Sequence, residues 1–141
     1  MPSYPPMESW ICGPQTFEFE APDILHHHIR GSIEADHISF AVALGRELAA
    51  QHGLQGIIYL AHLELDEKVP MISPAARSLL AKVETNWKLG IVVGSGAKFR
   101  ALAKIAANAM ELLSGPGVPR TMVKSIEEAR AYITEYRQLQ R

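Results

Sequence analysis

The sequence predicts a small α/β domain with a largely parallel sheet. Two observations carry this. After a short opening of period-two strands, helical stripes alternate with short apolar strands to the end of the chain, and strands joined through helices pair in parallel. In addition, 141 residues with 48% apolar and 21% charged residues make one domain with a real core, and leave no room for two. The predicted order is β-β-α-β-α-β-α-β-α, with an antiparallel edge and about four helices over the sheet. Residues 1–9 read as a flexible arm and 10–141 as the domain.

Each element has its own signal. Trp10, Ile11 and Cys12 run into Gly13-Pro14, a break. Phe17-Glu18-Phe19-Glu20 alternates with period two, as a half-buried strand does. Ala21-Pro22-Asp23 turns the chain into a second strand, Ile24 to Arg30, closed by Gly31. Glu34 to His52 is helical, with Ile38, Ala41, Gly45, Leu48 and His52 on one face. A glycine within that stripe predicts a close approach to the sheet, and Gly53 stops the helix. Ile57 to Ala61 is the continuous apolar run of a buried parallel strand.

Ser73-Pro74 starts the second helix with an N-cap and a proline at the first helical position. Its predicted stripe is Ala76, Leu79, Leu80, Val83 and Trp87. Leu89 to Val93 is the next strand, and Gly94-Ser95-Gly96 turns it into a third helix ending near Gly115. Thr121 to Val123 is a last strand. Ser125 and Glu128 form a capping box for a final helix carrying Ile126, Ala129, Ile133 and Tyr136.

Charge and composition narrow the function classes. The formal net charge is -1 with no basic block, so no nucleic-acid partner is expected. A single cysteine, Cys12, excludes an internal disulfide and fits a reducing, cytoplasmic setting. No segment has the roughly 18 apolar residues of a membrane span, and the proline-rich start lacks the charged region of a signal peptide.

Four stretches taken in order resemble the STAS domain, in particular its SpoIIAA-like bacterial branch. They are Asp23 to Gly31-Ser32-Ile33; Ile57 to Ala61; Leu89-Gly90-Ile91-Val92-Val93-Gly94-Ser95 with Arg100-Ala101-Leu102-Ala103; and Val123-Lys124-Ser125-Ile126-Glu127-Glu128-Ala129. The resemblance implies a regulatory, protein-binding α/β module. One branch of the family antagonises anti-sigma factors and is switched by phosphorylation of a serine at the start of the second helix. The SpoIIAA-like branch is similar in shape to CRAL-TRIO lipid-transfer domains, which implies an apolar ligand or a peripheral membrane contact. The switched branch carries Asp-Ser-Ser-Gly at that helix start. Here the string is Met71-Ile72-Ser73-Pro74-Ala75-Ala76-Arg77, and Ala61-His62 replaces the usual acidic residue at the preceding strand end.

Several candidate sites stand beside plainer readings. Ser73 is a candidate regulatory position, since a phosphate there would meet a helix N-terminus; a plain helix cap before Pro74 is the plainer reading. Gly94, Ser95, Gly96, Lys98 and Arg100 are candidate anion- or ligand-binding residues between a strand and a helix. They do not make a P-loop, because Phe99 follows Lys98 where Ser or Thr is required, and a tight turn is the plainer reading. On the third helix, Phe99, Ala103 and Met110 widen a stripe of Leu102, Ile105, Ala106, Ala109 and Leu113 into an arc suited to a partner or an apolar ligand.

His26-His27-His28 invites a metal hypothesis, with Asp36-His37 or with His62 and Glu64. In a strand His26 and His28 point one way and His27 the other, so at most two share a metal. Exposed strand histidines are the plainer expectation, and no metal and no cofactor are expected. No nucleophile–base pair or Gly-x-Ser-x-Gly elbow is present, so the chain is expected not to be an enzyme. The expected partner is a protein, with an apolar small molecule as the alternative, and self-association as a homodimer fits a strand edge or the wide apolar arc.

Overall fold

The computed structural model describes residues 7–64, 71–95 and 117–140. Its elements are β1 (Glu8–Cys12), β2 (Gln15–Glu20), β3 (Ile24–His28), α1 (Ala35–His52), β4 (Ile57–Glu64), α2 (Pro74–Leu80), β5 (Trp87–Ser95), β6 (Arg120–Val123) and α3 (Ile126–Leu139). The six strands form one sheet in the order β1-β2-β3-β4-β5-β6. β1, β2 and β3 pair antiparallel, and β3 to β6 pair parallel. The fold is therefore α/β with a mixed sheet, antiparallel at one edge.

Three differences from the sequence-based expectation concern the elements. The opening has three strands, because Glu8 to Cys12 pairs along Gln15 to Phe19; Glu8 and Ser9, read as part of the arm, belong to β1. Among the described residues there are three helices rather than about four; the helix expected from Gly96 to near Gly115 lies outside them. Finally, α2 ends at Leu80 and Trp87 opens β5. The i+11 spacing of Trp87 from Ala76 is a coincidence of phase. Glu84-Thr85-Asn86 favours helix poorly, and Trp87 gains a strand partner in Ile57 and a ring stack on Tyr59 at 4.8 Å.

Alternation along each strand divides the core into two layers. Phe17, Phe19, Leu25, Tyr59, Ala61, Leu63 and Val92 pack under α1 and α2. Ile24, Ile58, Leu60, Leu89, Ile91 and Val93 pack under Ala129 and Ile133 of α3. β4 is covered on both faces, which is why it reads as an unbroken apolar run. Gly45 on α1 makes the predicted close approach: a Cβ there would lie 2.6 Å from Trp87 Cζ3. His52, placed on the buried stripe by periodicity, is exposed, with its ring 4.7 Å from that of Phe19.

Capping follows chemistry. Ser73 Oγ accepts the Ala76 N–H at 3.1 Å, Ser125 Oγ accepts the Glu128 N–H at 3.2 Å, and Gly53 takes φ +65° to end α1. Tethers fix α3 at both ends. Arg130 donates two bonds to Glu20 at 2.8 Å, and Arg137 pairs with the buried Asp23, which also holds Lys88 at 2.5 Å.

Candidate functional site

The histidine strand β3 organises polar chemistry on both faces of the sheet. On the α1 face, His27 is fully buried and its ring stacks 4.3 Å from that of Phe17. Gln15 Nε2 donates to the Arg30 carbonyl at 2.7 Å, so Gln15 Oε1 is an acceptor and His27 Nε2, 2.9 Å away, must carry the proton. His27 Nδ1 is then the acceptor for the Tyr59 hydroxyl at 2.5 Å. The chain Tyr59→His27→Gln15→Arg30 satisfies every member, as a buried polar network requires. Burial holds His27 down at about 3 and raises the Tyr59 hydroxyl above its ordinary value. This network positions strands and faces no solvent.

On the α3 face, β3 lies between Glu18 and Glu20 of β2 and His62 of β4. Register sets this: Glu18 pairs with His26, and His28 with His62. His26 Nε2 lies 3.1 Å from Glu20 Oε1, and His26 Nδ1 lies 2.9 Å from His62 Nε2. His28 Nε2 lies 2.7 Å from Glu18 Oε1, and its ring stacks 4.4 Å from that of His62. Apolar residues and α3 cover the amino-terminal part of this face. The histidines stand toward the carboxyl ends of β3 and β4, where ligand sites of parallel sheets lie.

Electrostatics show how fully these groups engage one another. The Arg130 hydrogen bond, helped by His26, holds Glu20 at about 2 despite partial burial. Burial lowers His26, and burial with the nearby His28 and His26 lowers His62 to about 3. His26 and His27 are buried rather than exposed, which corrects the plain expectation for the triplet; cross-strand partners supply the polar contacts that burial demands.

A second feature lies on the carboxyl rim. An isolated bridge joins Ile33, before α1, to Ile72, before α2, with Ile33 N–H donating to the Met71 carbonyl at 2.7 Å and Ser73 N–H to the Ile33 carbonyl at 3.0 Å. The backbone of Met71, whose side chain is exposed (69%), is thereby held beside Ser73. Arg77 bonds the Ile72 carbonyl at 3.3 Å, and Arg30, Gly31 and Ser32 are exposed at the end of β3.

The structure distributes the sequence-derived candidates unevenly. Ser73 is half-buried and serves as the N-cap. Gly94 and Ser95 continue β5 opposite Leu63 and Glu64; the helix expected to follow them lies outside the described residues. Gly96, Lys98, Phe99, Arg100, Ala103 and Met110 lie outside the described residues. The structure brings His62 to His26, as one metal arrangement required, but directs His37 elsewhere: its Nδ1 accepts the Glu34 N–H at 3.0 Å. Among the described residues no group of three or more His, Cys, Asp or Glu side chains has the geometry to hold a metal. Burial, with Asp36 nearby, raises the Cys12 thiol, away from nucleophilic character. Sequence reasoning missed Glu18, Glu20 and Arg130. The period-two Glu18/Glu20 pattern marks a polar face opposite Phe17 and Phe19, and was the one signal for two of them.

No protein-family model, no curated protein and no solved structure matches this chain. No helix among the described residues is long and apolar enough to cross a membrane.

Proposed function

We propose that this chain is a non-enzymatic, STAS-like regulatory module that docks a protein partner at the carboxyl rim of its parallel strands. The observation that carries the reading is Met71: an exposed thioether on a backbone held by pairing of Ile33 with both Met71 and Ser73. An adaptable apolar side chain on a fixed backbone suits a docking contact, because the backbone needs no further ordering on binding. Arg77, bonded to the Ile72 carbonyl, stands next to it on the exposed rim, so the complementary partner presents an apolar residue beside a carboxylate.

The titratable groups favour binding over catalysis. Glu20 is engaged by Arg130 and His26, and His26 and His62 by each other. The Arg130 hydrogen bond holds Glu20 near 2, and burial holds His62 near 3, both far from the range of a general base working at neutral pH. The apolar cavity between α1, α2 and the sheet, lined by Ile38, Tyr59, Leu80 and Trp87, measures about 10 Å³, room for one water-sized group. The described element order, with a helix after each of β3, β4 and β6, supports the STAS-like reading of the fold.

The test places a photo-crosslinking amino acid at Met71 and, as a control, at Leu139 near the end of α3. One protein crosslinked from position 71 and not from 139, and rebound after purification, supports the reading. Its affinity then falls about tenfold or more in Met71→Glu and Arg77→Glu, as for a central contact. A stoichiometric apolar molecule on the tag-free protein in native mass spectrometry, or a purified partner indifferent to both substitutions, overturns it.

A further inference from the structure

The contact between His26 and His62 has a property that neither histidine has alone. Their facing nitrogens, Nδ1 of His26 and Nε2 of His62, are 2.9 Å apart, so one proton lies between them. Glu20 only accepts, and takes two N–H groups from Arg130. His26 Nε2 therefore carries a proton and donates it. In the neutral pair His26 Nδ1 is bare and His62 Nε2–H donates to it. The result is a directed chain, His62→His26→Glu20, linking β4, β3 and β2, with Arg130 of α3 at its end.

One added proton fits this chain. It binds His62 at Nδ1, the shared proton crosses from His62 Nε2 to His26 Nδ1, and an imidazolium then stands between the Glu20 carboxylate and the lone pair of His62. All contacts remain. A second proton has no such place, since two N–H groups would face each other across the same short gap. We propose that His26 and His62 form a single-proton unit that acts as a pH switch on the α3 face of the sheet: the first proton is taken with all hydrogen bonds intact, and the second drives the rings apart.

The groups facing the pair sharpen the switch. Glu20 and Glu18 come from β2, His28 from β3 with its ring 4.4 Å from that of His62, and Arg130 from α3, with Glu127 one turn before it on that helix. β5 presents the apolar Ile91 and Val93. Glu20 balances the first positive charge. The second is opposed by Arg130, and by His28 once that ring is charged. Burial lowers both members of the pair, which keeps the second protonation in the acid range.

No partner is needed for this behaviour, so its test is independent of docking. Long-range imidazole nitrogen–proton NMR on the wild-type protein from pH 8 to 3 reads it directly. At pH 8, His26 is expected as the Nε2–H form, with a scalar coupling between His26 Nδ1 and His62 Nε2. The coupling persists through the first protonation and vanishes with the second. The two steps are separated by at least about two pH units, a hundredfold difference in proton affinity. In His62→Gln, whose amide still bonds His26, a single step remains. Two independent one-proton curves less than about one pH unit apart, or a His26 curve unchanged by His62→Gln, overturn the proposal.

Discussion

Gly45 of α1 and Trp87 of β5 meet so closely that a Cβ on the glycine would stand 2.6 Å from the tryptophan ring and 2.9 Å from Asn86 Oδ1. The same Asn86 donates to the Gly45 carbonyl at 2.9 Å, locking helix to strand. Trp87 cannot yield easily, because its ring is buried and stacks on the buried ring of Tyr59. Gly45→Ala sets a helix-propensity gain of about 1 kcal/mol against overpacking of about 1–3 kcal/mol. Net destabilisation is expected, read as a lower urea midpoint. A midpoint at or above wild type would show that the contact gives way.

Tyr59→Phe removes the hydroxyl that His27 Nδ1 accepts from and changes nothing else in shape. The buried nitrogen is left without a donor, at a cost of about 1–3 kcal/mol. His27 Nε2 keeps its bond to Gln15, so the fold survives and equilibrium unfolding measures the loss. An unchanged stability would mean the hydroxyl contact contributes nothing net.

Stability should fall on acidification in two windows. His27 is held near 3 in the folded state against 6.5 for the free group, so between those values the unfolded chain binds the extra proton. The stabilisation is complete above about pH 6.5 and drains by about 1.4 kcal/mol per pH unit below it. His26 and His62 act in the same direction. Glu20, lowered from 4.5 to about 2, adds a second loss below pH 4.5. Urea midpoints at pH 8, 6, 5 and 4 check this, and a midpoint that rises as pH falls would contradict it.

Ser73→Ala removes the oxygen that caps α2 and should cost about 1 kcal/mol. Ser73→Asp keeps an acceptor at the same position and adds charge favourable to a helix start, so thermal unfolding should place it close to wild type. An aspartate variant as unstable as the alanine variant would separate the role of Ser73 from capping.

How much of this was legible in the sequence depends on range. Local signals read true: Ser73-Pro74 as a helix start, Gly45 as a close approach, Ile126, Ala129, Ile133 and Tyr136 as the inner stripe of α3. Alternation gave the facing of His26, His27 and His28 correctly. It could not give their burial, which depends on what other strands bring: Gln15 and Tyr59 on one face, Glu20 and His62 on the other. Arg130 lies 110 positions from Glu20, a separation no periodicity spans. Trp87 misled because a helical phase can persist by chance across a helix end, and the strand pairing with Ile57 that claims it is invisible locally.

The order of the strands in the sheet is also their order in the chain. No strand has to slip between two that are already paired. During synthesis the three antiparallel strands emerge first and can close through short turns, the cheapest loops to close. Each later strand then adds to an edge already present, so the sheet grows outward in the direction of translation. Among mixed sheets, such an arrangement keeps pairing partners near in sequence and favours quick folding.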